Sequence, residues 1–144
     1  MSESNKLAVV IAIIAEAGYE VSEQGENLLS ISDPESNVTI RGALEEDLLY
    51  LTVPLMTVDQ ASVNLEAMRL MLAADNGIST SGFQLYEHGN GQVVITLNNF
   101  CKLLDLQSDD RDDILACLSY LLVDIVQAHA LLSELISCQD HELS

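Results

Sequence analysis

The chain has 144 residues, 23 of them acidic and 5 basic, for a formal net charge of −18, yet 49% of its residues are apolar. Disordered acidic chains are poor in Leu, Val and Ile, so the composition excludes intrinsic disorder, and the length suits one domain with a sizeable core. The charge repels phosphate backbones and anionic lipid, which argues against nucleic-acid binding and membrane docking.

Leu7, Val10, Ile11 and Ile14 recur at i, i+3, i+4 and i+7, predicting an amphipathic helix with Ser4 as N-cap and Gly18 as stop. The apolar run Leu7 to Ala15 is too short to span a bilayer. Its leading segment sets Glu3 against Lys6 and so lacks the positive charge of a signal peptide. It reads as a cytosolic helix.

Beyond Gly18 the period changes to two. A short strand is expected around Tyr19 to Glu23. Leu29 and Ile31 then alternate with serines, and Val38 and Ile40 with Thr39 and Arg41, across the turn-forming Asp33-Pro34-Glu35-Ser36-Asn37. A further strand, about Asp47 to Val53, is expected to end at Pro54, which cannot donate to a central ladder. Thr57-Val58-Asp59-Gln60 fits a capping box, predicting a helix from Thr57 to about Ala74 with Asn76-Gly77 as its left-handed stop. Phe83 and Leu85, then Val93, Ile95 and Leu97, flank His88-Gly89-Asn90-Gly91 and predict a hairpin. Ser108 caps a last helix reaching about Ser137, and Asp109, Asp110, Asp112 and Asp113 complement its positive end.

The fold class expected is α+β: an α-βββ-α-ββ-α sandwich, with helices packed on an antiparallel sheet. A single domain spans residues 5–137, followed by a polar tail at 138–144.

No reaction chemistry emerges from the motifs. Gly89-Asn90-Gly91 leads into a strand, whereas a phosphate loop must open a helix. The carboxylates from Asp105 to Asp113 lack the spacing and central Gly of a calcium loop. Cys101, Cys117 and Cys138 form neither a disulfide framework nor a zinc set, and Cys138-x-x-His141 has no second ligand pair. No catalytic residue, cofactor or metal is expected, and the odd, widely spaced thiols suit a reducing cytoplasm.

Surplus apolar surface is the informative feature. On the first helix Val9 and Ile13 point away from the Leu7–Ile14 stripe. On the middle helix Val58, Ala61, Leu65, Met68 and Leu72 form one stripe, and Val63, Ala67, Leu70 and Ala74 a second. The second stripe is expected to meet a symmetry-related copy. The last helix carries one broad stripe, comprising Ile114, Leu115, Leu118, Leu121, Leu122, Ile125, Val126, Leu132 and Ile136. His129 lies within it and reads as a hydrogen-bonded core residue.

Leu70-Met71-Leu72-Ala73-Ala74-Asp75-Asn76, then Gly82-Phe83-Gln84-Leu85 and Gly91-Gln92-Val93-Val94-Ile95-Thr96-Leu97, give the chain a resemblance to the class I type III secretion chaperones of Gram-negative bacteria (the Tir chaperone-like fold). It extends over roughly residues 5 to 136. The related YbjN-like proteins share the architecture and offer the alternative, an unassigned regulatory or stress-related role. The resemblance implies a cytoplasmic, non-enzymatic homodimer that holds a segment of another protein, a secreted effector or regulatory partner, without any cofactor. Val9, Ile13 and Leu28 are the candidates for the partner strip, and Val63, Ala67, Leu70 and Ala74 for the dimer contact.

Overall fold

The structure is a computed structural model that describes residues 3–143, with side chains described for residues 5–133. Three α-helices and a six-stranded antiparallel sheet make the chain α+β, as expected. In chain order these are α1 (Glu3–Glu16), β1 (Glu20–Gly25), β2 (Leu28–Asp33), β3 (Val38–Glu45), β4 (Leu48–Asp59), a 3-10 turn (Gln60–Ser62), α2 (Leu65–Leu72), β5 (Gly82–Gly89), β6 (Gln92–Lys102) and α3 (Ser108–Leu143). The strands hydrogen-bond in the order β1-β2-β3-β4-β6-β5. The described residues cluster into two compact units. The first runs to Val53 and includes Asn99–Ser119; the second comprises Pro54–Asn98 and the chain from Tyr120 onward.

In the first unit, α1 turns Leu7, Val10, Ile13 and Ile14 inward. Ile13 is only 8% exposed, so it is a core residue and does not lie on a free strip. The buried set follows i, i+3, i+6 and i+7, which rotates the inward face toward Ile13 and leaves Ile11 and Val9 half-buried. Ala17 and Gly18 N–H groups close the helix end on the Ile14 and Ala15 carbonyls, and Gly18 takes the left-handed stop at φ 102°. The alternation read from sequence holds in the sheet. Leu29, Ile31, Ile40, Leu44, Leu49 and Leu51 are all buried. The turn between β2 and β3 is fastened by the Asn37 N–H to the Asp33 carbonyl at 2.8 Å and by the Ser36 hydroxyl to Asp33 Oδ2 at 2.7 Å.

Strand β4 runs through Pro54 instead of ending there. Its ladder with β3 reaches its last rung at Arg41–Thr52, so the missing Pro54 N–H takes nothing from that pairing.

In the second unit the middle helix is shorter than its pattern. Thr57 and Val58 belong to β4, and the Gln60 N–H donates to the Gly91 carbonyl at 2.8 Å instead of closing a capping box. Asn64 is the real N-cap, its Oδ1 accepting from the Ala67 N–H at 2.9 Å. Asn76 reaches back to the Met71 carbonyl at 2.6 Å, and Gly77 follows at φ 87°. A Cβ at Gly77 would stand 2.6 Å from Gln127 Nε2, so the Asn-Gly stop also permits close approach of α3. The hairpin forms as read, with Asn90 and Gly91 both at positive φ. Ala67, Met71, Ile95, Leu97, Leu121, Ile125 and Leu132 are buried in this unit.

Helix α3 begins at Ser108 as expected but continues to Leu143, so the backbone of 138–143 is helical and not a tail. The side chains of Ile136, Cys138 and His141 lie outside the described residues. Asp110 does more than complement the helix end. Fully buried, it folds its Oδ2 back to accept the N–H groups of Leu104, Asp105 and Leu106 at 2.8, 2.9 and 2.6 Å. That cradle holds Leu106 at φ 59°, a backbone region costly for leucine. Asp110→Ala strips three N–H groups of their shared acceptor and is expected to cost about 3 kcal/mol in urea denaturation. A loss below about 1 kcal/mol contradicts the cradle's structural role.

Candidate protein-binding surface

Apolar side chains of the second unit divide unevenly between core and solvent, and α3 shows it most clearly. Its inward face is built from Leu121, Ile125, Ala128 and Leu132. Tyr120, Val123, Val126, Gln127 and Ala130 fall within about a third of the helix circumference on the opposite side. All five are exposed, Val123 at 66% and Val126 at 72%. Val126 is therefore not part of the buried stripe, and His129, also exposed, is not a core histidine.

This stripe is also free of carboxylates. From Ile114 to Ser133 the sequence holds one acidic residue, Asp124, and it is 1% exposed. Its Oδ1 accepts the Ser79 N–H at 2.8 Å, its Oδ2 accepts the Ser81 N–H at 3.2 Å, and the Ser79 hydroxyl lies 2.9 Å from both oxygens. Burial pushes the Asp124 pKa up, but the hydrogen bonds from Ser79 and Ser81 outweigh it and hold the carboxyl below the ordinary range. The Gln127 amide donates to the Asn76 carbonyl at 3.2 Å, tying the 76–81 segment to the same helix. Between Ser108 and Ser133, α3 is long and apolar enough to cross a membrane by length and composition alone. Beyond Tyr120 its inward face and the hydrogen-bonded Asp124 are buried in this unit.

A second apolar element lies along β5, a sheet edge whose one strand neighbour is β6. Leu85 and Tyr86 are exposed there, and Glu87 is the strand's one acidic side chain. With Gln60, Val63, Met68 and Val93 they line an open depression of about 290 Å³. That is room for one or two apolar side chains beside an unpaired strand edge.

The residues singled out from sequence do not assemble as expected. Of the partner strip, Leu28 is exposed at the start of β2, Val9 is half-buried and Ile13 is in the core. Of the dimer stripe, Val63 and Ala74 lie outside α2, since that helix spans Leu65–Leu72. Ala67 is buried and, with Val63 and Met71, lines a partly open recess of about 10 Å³. Only Leu70 and Ala74 of the four are exposed. Tyr120 and Val123 were open to detection. The last helix has apolar residues well beyond one face, the same signal that marks the first two helices. Among the described residues no three His, Cys, Asp or Glu side chains converge on a metal position.

No family model matches the chain, and no curated protein matches it.

Proposed function

We propose that the chain is a non-enzymatic protein-binding domain, chaperone-like in kind, that works as a homodimer and holds an extended segment of another protein. The observation that supports this reading is the outward stripe of α3 from Tyr120 to Ala130, exposed, largely apolar and without a carboxylate over that stretch, in a chain of net charge −18. Two such chains repel one another wherever carboxylates meet, so the favourable contact between copies is a face that has none. The branched and small side chains Val123, Val126 and Ala130 suit close packing against a two-fold related helix, with Tyr120 as a larger anchor.

The partner segment is assigned to the depression beside β5, where the free strand edge offers main-chain hydrogen bonds and Leu85, Tyr86 and Met68 offer apolar contact. The acidity of the chain selects a segment with basic or neutral flanks. Affinity purification from the native host is expected to recover one dominant protein in constant ratio to this chain. Leu85→Asp is expected to lower that recovery at least tenfold with an unchanged circular dichroism spectrum, since Leu85 is already 43% exposed. Equal recovery by a folded Leu85→Asp variant removes the depression from the site, and the absence of any stoichiometric protein removes the reading itself.

A further inference from the structure

The sequence holds two Asn-Gly pairs, Asn76-Gly77 and Asn90-Gly91, and the fold treats them in opposite ways. In such a pair the glycine nitrogen can close on the asparagine side-chain carbonyl carbon, because glycine has no Cβ to obstruct the approach. Closure needs a side chain that is free to turn. Asn76 is not. Its Nδ2 donates to the Met71 carbonyl at 2.6 Å and its Oδ1 accepts the Ile78 N–H at 2.9 Å. Gln127 packs so closely on Gly77 that a Cβ there would stand 2.6 Å from its Nε2. Asn90 is the opposite case. It stands at the tip of the β5–β6 hairpin, where Gly89, Asn90 and Gly91 are all exposed and take φ values of 95°, 54° and 74°. A Cβ at Gly89 or Gly91 would meet nothing within 4 Å, so open space surrounds the turn. Among the described residues neither the Asn90 side chain nor the Gly91 N–H makes a hydrogen bond; only the Gly91 carbonyl is engaged, by the Gln60 N–H at 2.8 Å.

We infer that Asn90 is a site of spontaneous covalent modification, converting to isoaspartate in the folded chain while Asn76 is protected. The Gly91 nitrogen attacks Asn90 Cγ. A C–N bond forms, the Cγ–Nδ2 bond breaks, and Nδ2 leaves as ammonia with the Gly91 proton. Water then opens the cyclic imide at either carbonyl. Attack at Cγ restores the ordinary main chain and leaves aspartate. Attack at the backbone carbonyl carbon leaves isoaspartate, with the main chain running through Cβ and Cγ and the α-carboxylate set free. Water is the only co-reactant, and nothing is oxidised or reduced. Isoaspartate lengthens the turn by one carbon beside the Gly89–Gln92 pair and displaces the Gly91 carbonyl that holds Gln60. Its free carboxylate is a substrate for an enzyme that methylates isoaspartyl groups with S-adenosylmethionine.

The test incubates the folded full chain at mildly alkaline pH and follows both Asn-Gly peptides by mass spectrometry, beside a sample unfolded in guanidinium. In the folded chain the Asn90 peptide is expected to gain the mass difference between an amide and an acid. It should do so at least about tenfold faster than the Asn76 peptide, whose two side-chain hydrogen bonds must first break. In the unfolded chain the two rates are expected to converge. The incubated folded protein should accept labelled methyl groups from an isoaspartyl methyltransferase, and Asn90→Gln should remove most of that acceptance. Equal conversion of the two peptides in the folded chain overturns the inference. So does an Asn90 peptide that reacts only after unfolding. The peptide map of the wild-type chain decides the matter whatever the substitution does to the turn.

Discussion

Asp124→Ala is expected to destabilise the fold by about 3–5 kcal/mol, a large share of the roughly 5–15 kcal/mol typical of a whole domain. The carboxylate is 1% exposed and accepts the Ser79 and Ser81 N–H groups and the Ser79 hydroxyl. Alanine leaves those donors facing a small cavity. Hydrogen bonds to a charged acceptor are each worth about 1.5–3 kcal/mol, and the bonds share one group, so their losses do not simply add. Asp124→Asn keeps the shape and one acceptor oxygen but turns an NH2 toward donors, and about 2 kcal/mol is expected for it. Neither variant titrates at position 124, so both deficits carry the same pH dependence, that of the wild-type carboxyl. The folded pKa of Asp124 lies below its unfolded value, because the hydrogen bonds outweigh the opposing effect of burial. Its stabilisation is therefore complete above the unfolded carboxylate value, near about pH 4, and is lost as pH falls through the lower folded value. In urea titrations the gap between wild type and Asp124→Asn should stay constant from neutrality to mild acid and close below about pH 4. A gap that persists unchanged well below that value contradicts the assignment of the charge.

Val123→Asp combined with Val126→Asp is expected to turn the proposed dimer into a folded monomer. Both side chains are already mostly exposed, so the fold should lose no more than about 0.5 kcal/mol. At a two-fold contact each substitution occurs twice, placing four carboxylates against apolar side chains between chains that already repel. Weakening of at least 100-fold, about 2.7 kcal/mol, is a conservative expectation. Light scattering at micromolar concentration reads the result directly. A monomeric wild type refutes the dimer, and a double variant that remains dimeric refutes this placement of the contact.

What was legible in the sequence was local. The Asn90-Gly91 hairpin, the Gly18 stop, the Asp33–Asn37 turn and the Ser108 helix start each rest on residues within one turn of one another, and all four form. The middle helix failed where a distant group intervened. Thr57-Val58-Asp59-Gln60 has the right spacing for a capping box, but Gly91, thirty-one positions beyond Gln60, offers its carbonyl to the Gln60 N–H and keeps the segment extended. Asn64 then starts the helix later, which dissolves the stripe of Val63, Ala67, Leu70 and Ala74. Ile13 was misplaced for a different reason. Helical spacing shows that a helix has two apolar sides but not how far the buried side extends, and here it reaches from Leu7 round to Ile13. Val126 is the converse case, apolar and beside the core stripe yet turned to solvent.

Asp124 also matters before the chain has folded. Until Ser79 and Ser81 reach it, the newly made 114–133 segment is a continuous apolar helix former with a single charge near its middle. A carboxylate at the centre of such a stretch costs about 2.5–3.5 kcal/mol on insertion scales. The residue that anchors the 79–81 loop is thus also the one charge that lowers this segment's affinity for hydrocarbon.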